Sequence, residues 1–220
     1  MNIVYLGHSA FVFKINNKKI FIDPFLINSP QYDISEASDV FVTHGHSDHL
    51  GEAVDISKKT GARITAIFEL ANFCASQGAS VNGINLGAWI EYDWGKAIAV
   101  PAQHSSSLQN GIYTGCPCGY VFDINGQILY FAGDTALSYE MKVIGELYKP
   151  DIAFLPIGGT YTMDIEHATI AASYLEASAI IPMHYNTFPA INVDIKEFEQ
   201  SIRNIGKVPI VLNIGQEIEL

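Results

Sequence analysis

Basic residues are scarce in this 220-residue chain: Lys and Arg total 12 against 23 Asp and Glu, a formal net charge of −11. That balance disfavours a long polyanion as partner, because nucleic-acid affinity comes largely from basic patches on phosphates. Residues 97–141 and 150–195 contain no Lys or Arg at all. Cys74, Cys116 and Cys118, an odd number, make no disulfide framework. No apolar run reaches the roughly 20 residues that span a bilayer. The opening Met1-Asn2-Ile3-Val4-Tyr5-Leu6 lacks the basic start and long apolar core of a signal peptide. No low-complexity segment, charge block or Pro/Ser-rich linker divides the chain. These absences point to a cytoplasmic protein of one domain over residues 1–220, with no nucleic acid and no membrane as partner. A homo-oligomer is left open.

Hydrophobic residues make up 49% of the chain, enough for a large core. Strands are expected at 3–6, 11–15 and 19–22, the last two joined by Asn16-Asn17, and a short buried strand at 40–42. Residues 50–60 read as a helix ended by Gly61, and 68–77 as a second. Strands follow at 81–85, 89–93 and 97–100. The second half repeats the grammar. A hairpin of 119–124 and 127–131 turns on Asn125-Gly126, and Ser138 is placed to cap a helix to about residue 148. Strands at 152–155 and 179–182 flank a helix over 167–175 capped by Asp164. Asp194 with Glu197 resembles a capping box before 198–205, and 210–213 and 217–220 close the chain. Two halves, roughly 1–115 and 116–220, packed sheet to sheet would give an α/β fold of four layers, an α/β/β/α sandwich. A doubly wound single sheet also fits the pattern.

The chemistry concentrates in Thr43-His44-Gly45-His46-Ser47-Asp48-His49, three imidazoles and a carboxylate just after the apolar Val40-Phe41-Val42. Neutral imidazole and carboxylate are the ligand set of a borderline divalent metal such as zinc. A regular helix would fan such close positions around its axis, whereas a loop leaving a buried strand can converge them. His104, Asp134 and His184 each follow an apolar strand as well. For either histidine alone a buried hydrogen-bonded ring is about as common as a ligand. The repeated placement at strand ends favours ligation, since ligands gather where loops leave a rigid sheet.

These motifs resemble those of metallo-β-lactamase superfamily hydrolases, whose signature is His-x-His-x-Asp-His followed by a distant His, Asp and His. Gly7-His8-Ser9-Ala10, Ile22-Asp23-Pro24-Phe25, Gly133-Asp134-Thr135, Leu155-Pro156-Ile157-Gly158-Gly159 and Pro182-Met183-His184-Tyr185 are similar to a narrower group. That group comprises small metal-dependent hydrolases related to the L-ascorbate-6-phosphate lactonases. The resemblance covers essentially the whole chain and implies the four-layer sandwich. It also implies a dinuclear centre: His44, His46 and His104 on one metal, Asp48, His49 and His184 on the second, and Asp134 bridging. His46 departs from the di-iron oxygen-reducing branch, which carries a glutamate there.

Two divalent ions would lower the pKa of a bridging water, giving a hydroxide nucleophile, and polarise the oxygen under attack. The expected activity is hydrolysis of a small ester, lactone or phosphodiester, with zinc the leading metal and Mn2+, Fe2+ or Ni2+ alternatives. A non-catalytic metal or ligand sensor or buffer is the competing reading. Catalytic candidates are Asp48, Asp134 and His8, the last expected at the pocket mouth as a substrate contact, a general acid or a structural group. Asp23 reads either as the acceptor of a hydrogen bond from a ligand histidine or as a turn former before Pro24. His167 reads as solvated surface, Cys116-Pro117-Cys118 as a loop feature and Cys74 as core. The interval 97–141 holds the loops of His104 and Asp134, and 150–195 those of Gly158-Gly159 and His184. A phosphorylated sugar normally needs Arg, Lys or helix N-termini. A small, weakly charged substrate fits better, with Ser105, Ser106, Ser107, Tyr113, Thr160, Tyr161, Tyr185, Asn186 and Phe188 expected at the rim.

Overall fold

Turn chemistry sets the first three strands: β1 (Asn2–Gly7), β2 (Ala10–Ile15) and β3 (Lys18–Ile22). Asn16 and Asn17 both adopt positive φ, 46° and 61°, the two-residue turn whose twist suits a hairpin. The computed structural model describes residues 1–220. The chain continues through β4 (Ala37–Phe41), α1 (Ser47–Leu50), α2 (Ala53–Thr60), β5 (Arg63–Ile67), α3 (Phe68–Ser76) and β6 (Val81–Ile84). Next come β7 (Trp89–Tyr92), β8 (Gly95–Pro101), β9 (Cys118–Ile124), β10 (Gln127–Phe131), α4 (Glu140–Tyr148) and β11 (Ile152–Pro156). It ends with α5 (Ile165–Leu175), β12 (Ala179–Met183), α6 (Ile195–Asn204), β13 (Val208–Pro209) and β14 (Glu217–Glu219).

Two compact units result. The first comprises residues 1–85, 105–117 and 212–220, and the second 86–104 and 118–211. The boundaries expected from the sequence were contiguous halves, whereas the chain passes between the two units four times, after residues 85, 104, 117 and 211.

The first unit holds a seven-stranded sheet in the order β14-β1-β2-β3-β4-β5-β6. Its β14, β1, β2 and β3 pair antiparallel, and β3 to β6 pair parallel. On one face Val4, Val12, Phe21, Val40 and Ile64 pack with Ile56 of α2 and Leu70 and Cys74 of α3. The alternate residues Ile3, Phe11, Phe13, Ile20 and Phe41 are fully buried too. Burial on both faces explains why these strands read as continuous apolar runs.

The second unit repeats the plan in the order β13-β12-β11-β10-β9-β8-β7. Strands β7 to β10 pair antiparallel, and β10 to β13 pair parallel. Asn125 and Gly126 form the β9–β10 turn with φ of 55° and 84°. Phe131 and Phe154 lie 5.6 Å apart between ring centroids in its core.

Four local expectations need correction. Helix 50–60 is two pieces, because Gly51 turns at φ +42°, ψ −127°. A Cβ there would collide with the Pro24 carbonyl oxygen. Strand β5 was not foreseen: Arg63 and Thr65 interrupt its apolar run, and its ladder is set by distant neighbours. The α4 helix begins at Glu140 without a side-chain cap, so Ser138 does not cap it. Residues 210–213 form no strand; Pro209 lacks an N–H to continue the ladder, and only Ile210 N still donates, to Ile180 O at 2.8 Å. Asp164 and Asp194 do cap α5 and α6, accepting from His167 N and Lys196 N.

Candidate metal centre

Most expected site residues sit just past a strand end, but Asp48 and His49 lie in the single-turn helix α1 rather than in the loop expected from the sequence. In the first unit His8 follows β1, Asp23 follows β3 and the histidine run follows β4. His8 and Asp23 adopt left-handed backbone, φ 55° and 44°. Such conformations cost on the order of 1–3 kcal/mol for a residue other than glycine, and they cluster where geometry serves function.

Asp23 is fully buried and anchors this half of the site. Its Oδ1 accepts from Thr43 N at 2.8 Å, and its Oδ2 accepts from Thr43 Oγ1 at 2.7 Å and from His49 Nδ1 at 2.7 Å. Burial pushes its carboxyl above the ordinary carboxylate range, opposed by His49 and by the Thr43 donors. The bond to Asp23 makes His49 the Nδ1–H tautomer, leaving Nε2 with its lone pair. A second consequence runs through Thr43. Its single hydroxyl proton goes to Asp23, so its oxygen must accept from His44 Nδ1, 3.0 Å away. His44 is thereby the Nδ1–H tautomer as well, with Nε2 as its donor atom. One carboxylate thus orients two imidazoles.

The remaining atoms converge. His44 Nε2 and His46 Nδ1 lie 3.0 Å apart, and His49 Nε2 lies 4.0 Å from Asp48 Oδ2. His8 Nε2 is 3.2 Å from the same carboxylate oxygen. His8 was expected at the pocket mouth, but it is 1% exposed, with its ring edge-on to Phe25. Its ring also packs against that of His49, 5.6 Å away between centroids, so His8 sits buried beside Asp48 rather than at the mouth.

The second unit contributes a compact trio. Asp134 Oδ2 lies 3.1 Å from His184 Nε2 and 3.5 Å from His104 Nε2. Asp134 and His184 are buried, and His104 is half-buried. The His104 and Asp134 loops are stitched together: Gln103 N donates to Thr135 Oγ1, and Ala136 N to Gln103 O, both at 3.0 Å. His184 also has positive φ, 55°, and its carbonyl oxygen packs where a Cβ on Gly158 would stand. Gly158 is therefore fixed by close approach rather than by flexibility.

The donor set fits a divalent metal. Each unit brings imidazole nitrogens and carboxylate oxygens within contact distance of one another. Two ring lone pairs at 3.0 Å repel unless a proton or a cation lies between them. Other expectations resolve simply. His167 is exposed and bonded through Nδ1 to Asp164 at 2.9 Å. No disulfide joins the three cysteines, and Cys74 and Cys118 are buried. Ser106, expected at the rim, is instead buried and accepts from Gly45 N at 3.2 Å. Thr43 was missed, although its position between a buried strand and the first histidine is the signal that could have found it.

Comparisons with known proteins agree with this reading. A family model described as the beta-lactamase superfamily domain matches residues 2–184. A UPF0173 metal-dependent hydrolase of Anoxybacillus flavithermus is 42% identical over 229 residues, with 100% of both chains covered. One of Bacillus cereus is 43% identical over 231 residues, again with 100% of both covered. The solved structure of Igni18, a metallo hydrolase from the archaeon Ignicoccus hospitalis, is 36% identical with a TM-score of 0.90, over 99% of this chain and 97% of that one. The chain therefore belongs to the β-lactamase superfamily, as a metal-dependent hydrolase with the metallo-β-lactamase fold of two mixed sheets flanked by helices.

Proposed function

We propose that the chain hydrolyses a small, weakly charged ester, lactone or phosphodiester at a dinuclear centre, with zinc as the resident metal. His44, His46 and His104 would hold one ion and Asp48, His49 and His184 the other, with Asp134 as a ligand shared by both. When bound, the ions supply Lewis acidity and lower the pKa of attacking water. The chain's own residues prepare the site for them. Asp23 and Thr43 lock His49 and His44 in the tautomers that present Nε2. Asp134 sets one carboxylate oxygen between the ring nitrogens of His104 and His184. His8 steadies the Asp48 carboxylate.

The observation that carries this reading is the double tautomer lock built on Asp23. A protein gains little from fixing two imidazoles Nδ1–H unless their Nε2 atoms serve as ligands. The substrate class rests on the absence of Lys and Arg from residues 97–141 and 150–195, which leaves phosphate monoesters without side-chain cations there. The test is metal analysis joined to a panel of lactones, thioesters and phosphodiesters. Turnover of one of these classes that disappears in Asp134→Asn is expected. A metal-loaded protein that turns over only phosphorylated sugars would overturn the substrate class.

A further inference from the structure

Residues 106–114 form a small hairpin in the first unit, unforeseen from the sequence. Ser107 and Tyr113 pair across it, Leu108 N donates to Ile112 O at 2.9 Å, and Gly111 N closes the tip on Leu108 O at 2.8 Å. Its base is fastened to the histidine run. Gly45 N donates to Ser106 Oγ at 3.2 Å, and Ser106 Oγ shares a 2.7 Å hydrogen bond with Thr114 Oγ1. A Cβ on Gly45 would strike Thr114 Oγ1, so the hairpin packs directly on the loop that carries His44 and His46.

Beneath the hairpin tip lies a groove of about 380 Å³, lined by Gly45, Ser47, Leu50, Phe73, Leu108, Gln109 and Asn110. Its volume falls in the lower part of the range for small-molecule sites. One wall is the histidine run itself, since Gly45 and Ser47 flank His46. Leu108 on the hairpin and Phe73 on α3 also line it. No lining residue carries an ionisable side chain. Gln109 and Asn110 at the tip supply neutral polar groups. An anionic or cationic arm would find no partner here, whereas a chain of methylenes would meet Leu50, Phe73 and Leu108.

We propose that this groove receives the uncharged apolar arm, an alkyl or acyl chain, of the substrate whose scissile bond is presented to the histidine run. The assignment of the scissile bond rests on the hydrolase reading above; the affinity of the groove for an apolar chain does not. Each methylene buried should tighten binding about fourfold until the groove is full.

The test uses full-length zinc-loaded protein with labelled leucine methyls, titrated with N-butyl-, N-hexyl- and N-octylacetamide. Saturating shifts at Leu50 and Leu108 are expected, with Kd falling about sixteenfold per two-carbon step. Leu108→Asn, at a hairpin tip, should flatten that dependence, while Leu147→Asp on the exposed face of α4 should keep it. A parallel series of γ-lactones with lengthening side chains reads kcat/KM. Methyl shifts with chain-length dependence support the groove even where no lactone is hydrolysed, an outcome that counts against the lactone reading alone. Lactone turnover with no methyl shifts and no chain-length dependence overturns the groove and leaves the hydrolase reading standing.

Discussion

Asp23 lies 26 positions before His49 in the chain, yet it takes that ring's Nδ1–H and, through the Thr43 hydroxyl, sets His44. Asp23→Asn keeps the shape and removes the charge that holds both tautomers. Metal affinity should fall by about 10–100-fold, read by competition with a chromophoric chelator. Thr43→Val should fall in the same direction while leaving the Asp23–His49 bond in place. An affinity unchanged in both variants would make the network purely structural. Cysteine chemistry gives a second prediction at this scale. Burial pushes the Cys74 thiol up to about 12, and the thiolate is the reactive form. At pH 8 Cys74 should resist iodoacetamide in the folded protein, while half-buried Cys116 reacts first, as peptide mass mapping would show. The histidine run was legible because its imidazoles and carboxylate are adjacent in sequence. The Asp23 relay was only half legible: a strand-end carboxylate is visible, but which histidine it meets depends on parallel pairing of β3 with β4.

Among elements, the hairpin at 106–114 matters most and was least legible. It has no hydrophobic period, and its hydrogen bonds run to a loop about 60 positions away, as between Gly45 and Ser106 with a separation of 61. Ser106→Ala removes the acceptor for the Gly45 N–H at a site that is 4% exposed. A buried donor left without a partner costs about 1–3 kcal/mol, so a loss of that size in urea unfolding is expected, together with weakened metal binding. Gly45→Ala should cost about as much through overpacking against Thr114. Wild-type stability in both variants would show that the hairpin is not docked on the run. The break between α1 and α2 follows the same logic. Gly51 alone looks like an ordinary helix residue, and only the Pro24 carbonyl, which accepts from Glu52 N at 2.9 Å, shows why the chain must turn. Strand β5 stayed hidden because a parallel strand depends on neighbours, here β4 and β6, more than on its own alternation.

For the whole molecule, the paired strand-then-helix grammar allowed either two sheets or one doubly wound sheet and the family resemblance implied two; each unit has one, with three antiparallel and three parallel pairings. The chain's exchange between units was not legible, because nothing in the composition marks residues 105–117 or 212–220 as returning segments. No helix is long and apolar enough to cross a membrane. Ligand linkage gives a global prediction: a metal present at about 100 times its Kd should add roughly 2.7 kcal/mol of stability. Chelator treatment should therefore lower the melting temperature and abolish hydrolysis, with zinc restoring both. A dinuclear centre is settled by counting its ions, through elemental analysis of metal-replete protein beside Asp134→Asn. Two divalent ions per chain are expected in the wild type and fewer than two in the variant; one ion or none in the wild type, or two in both proteins, would rule the dinuclear centre out.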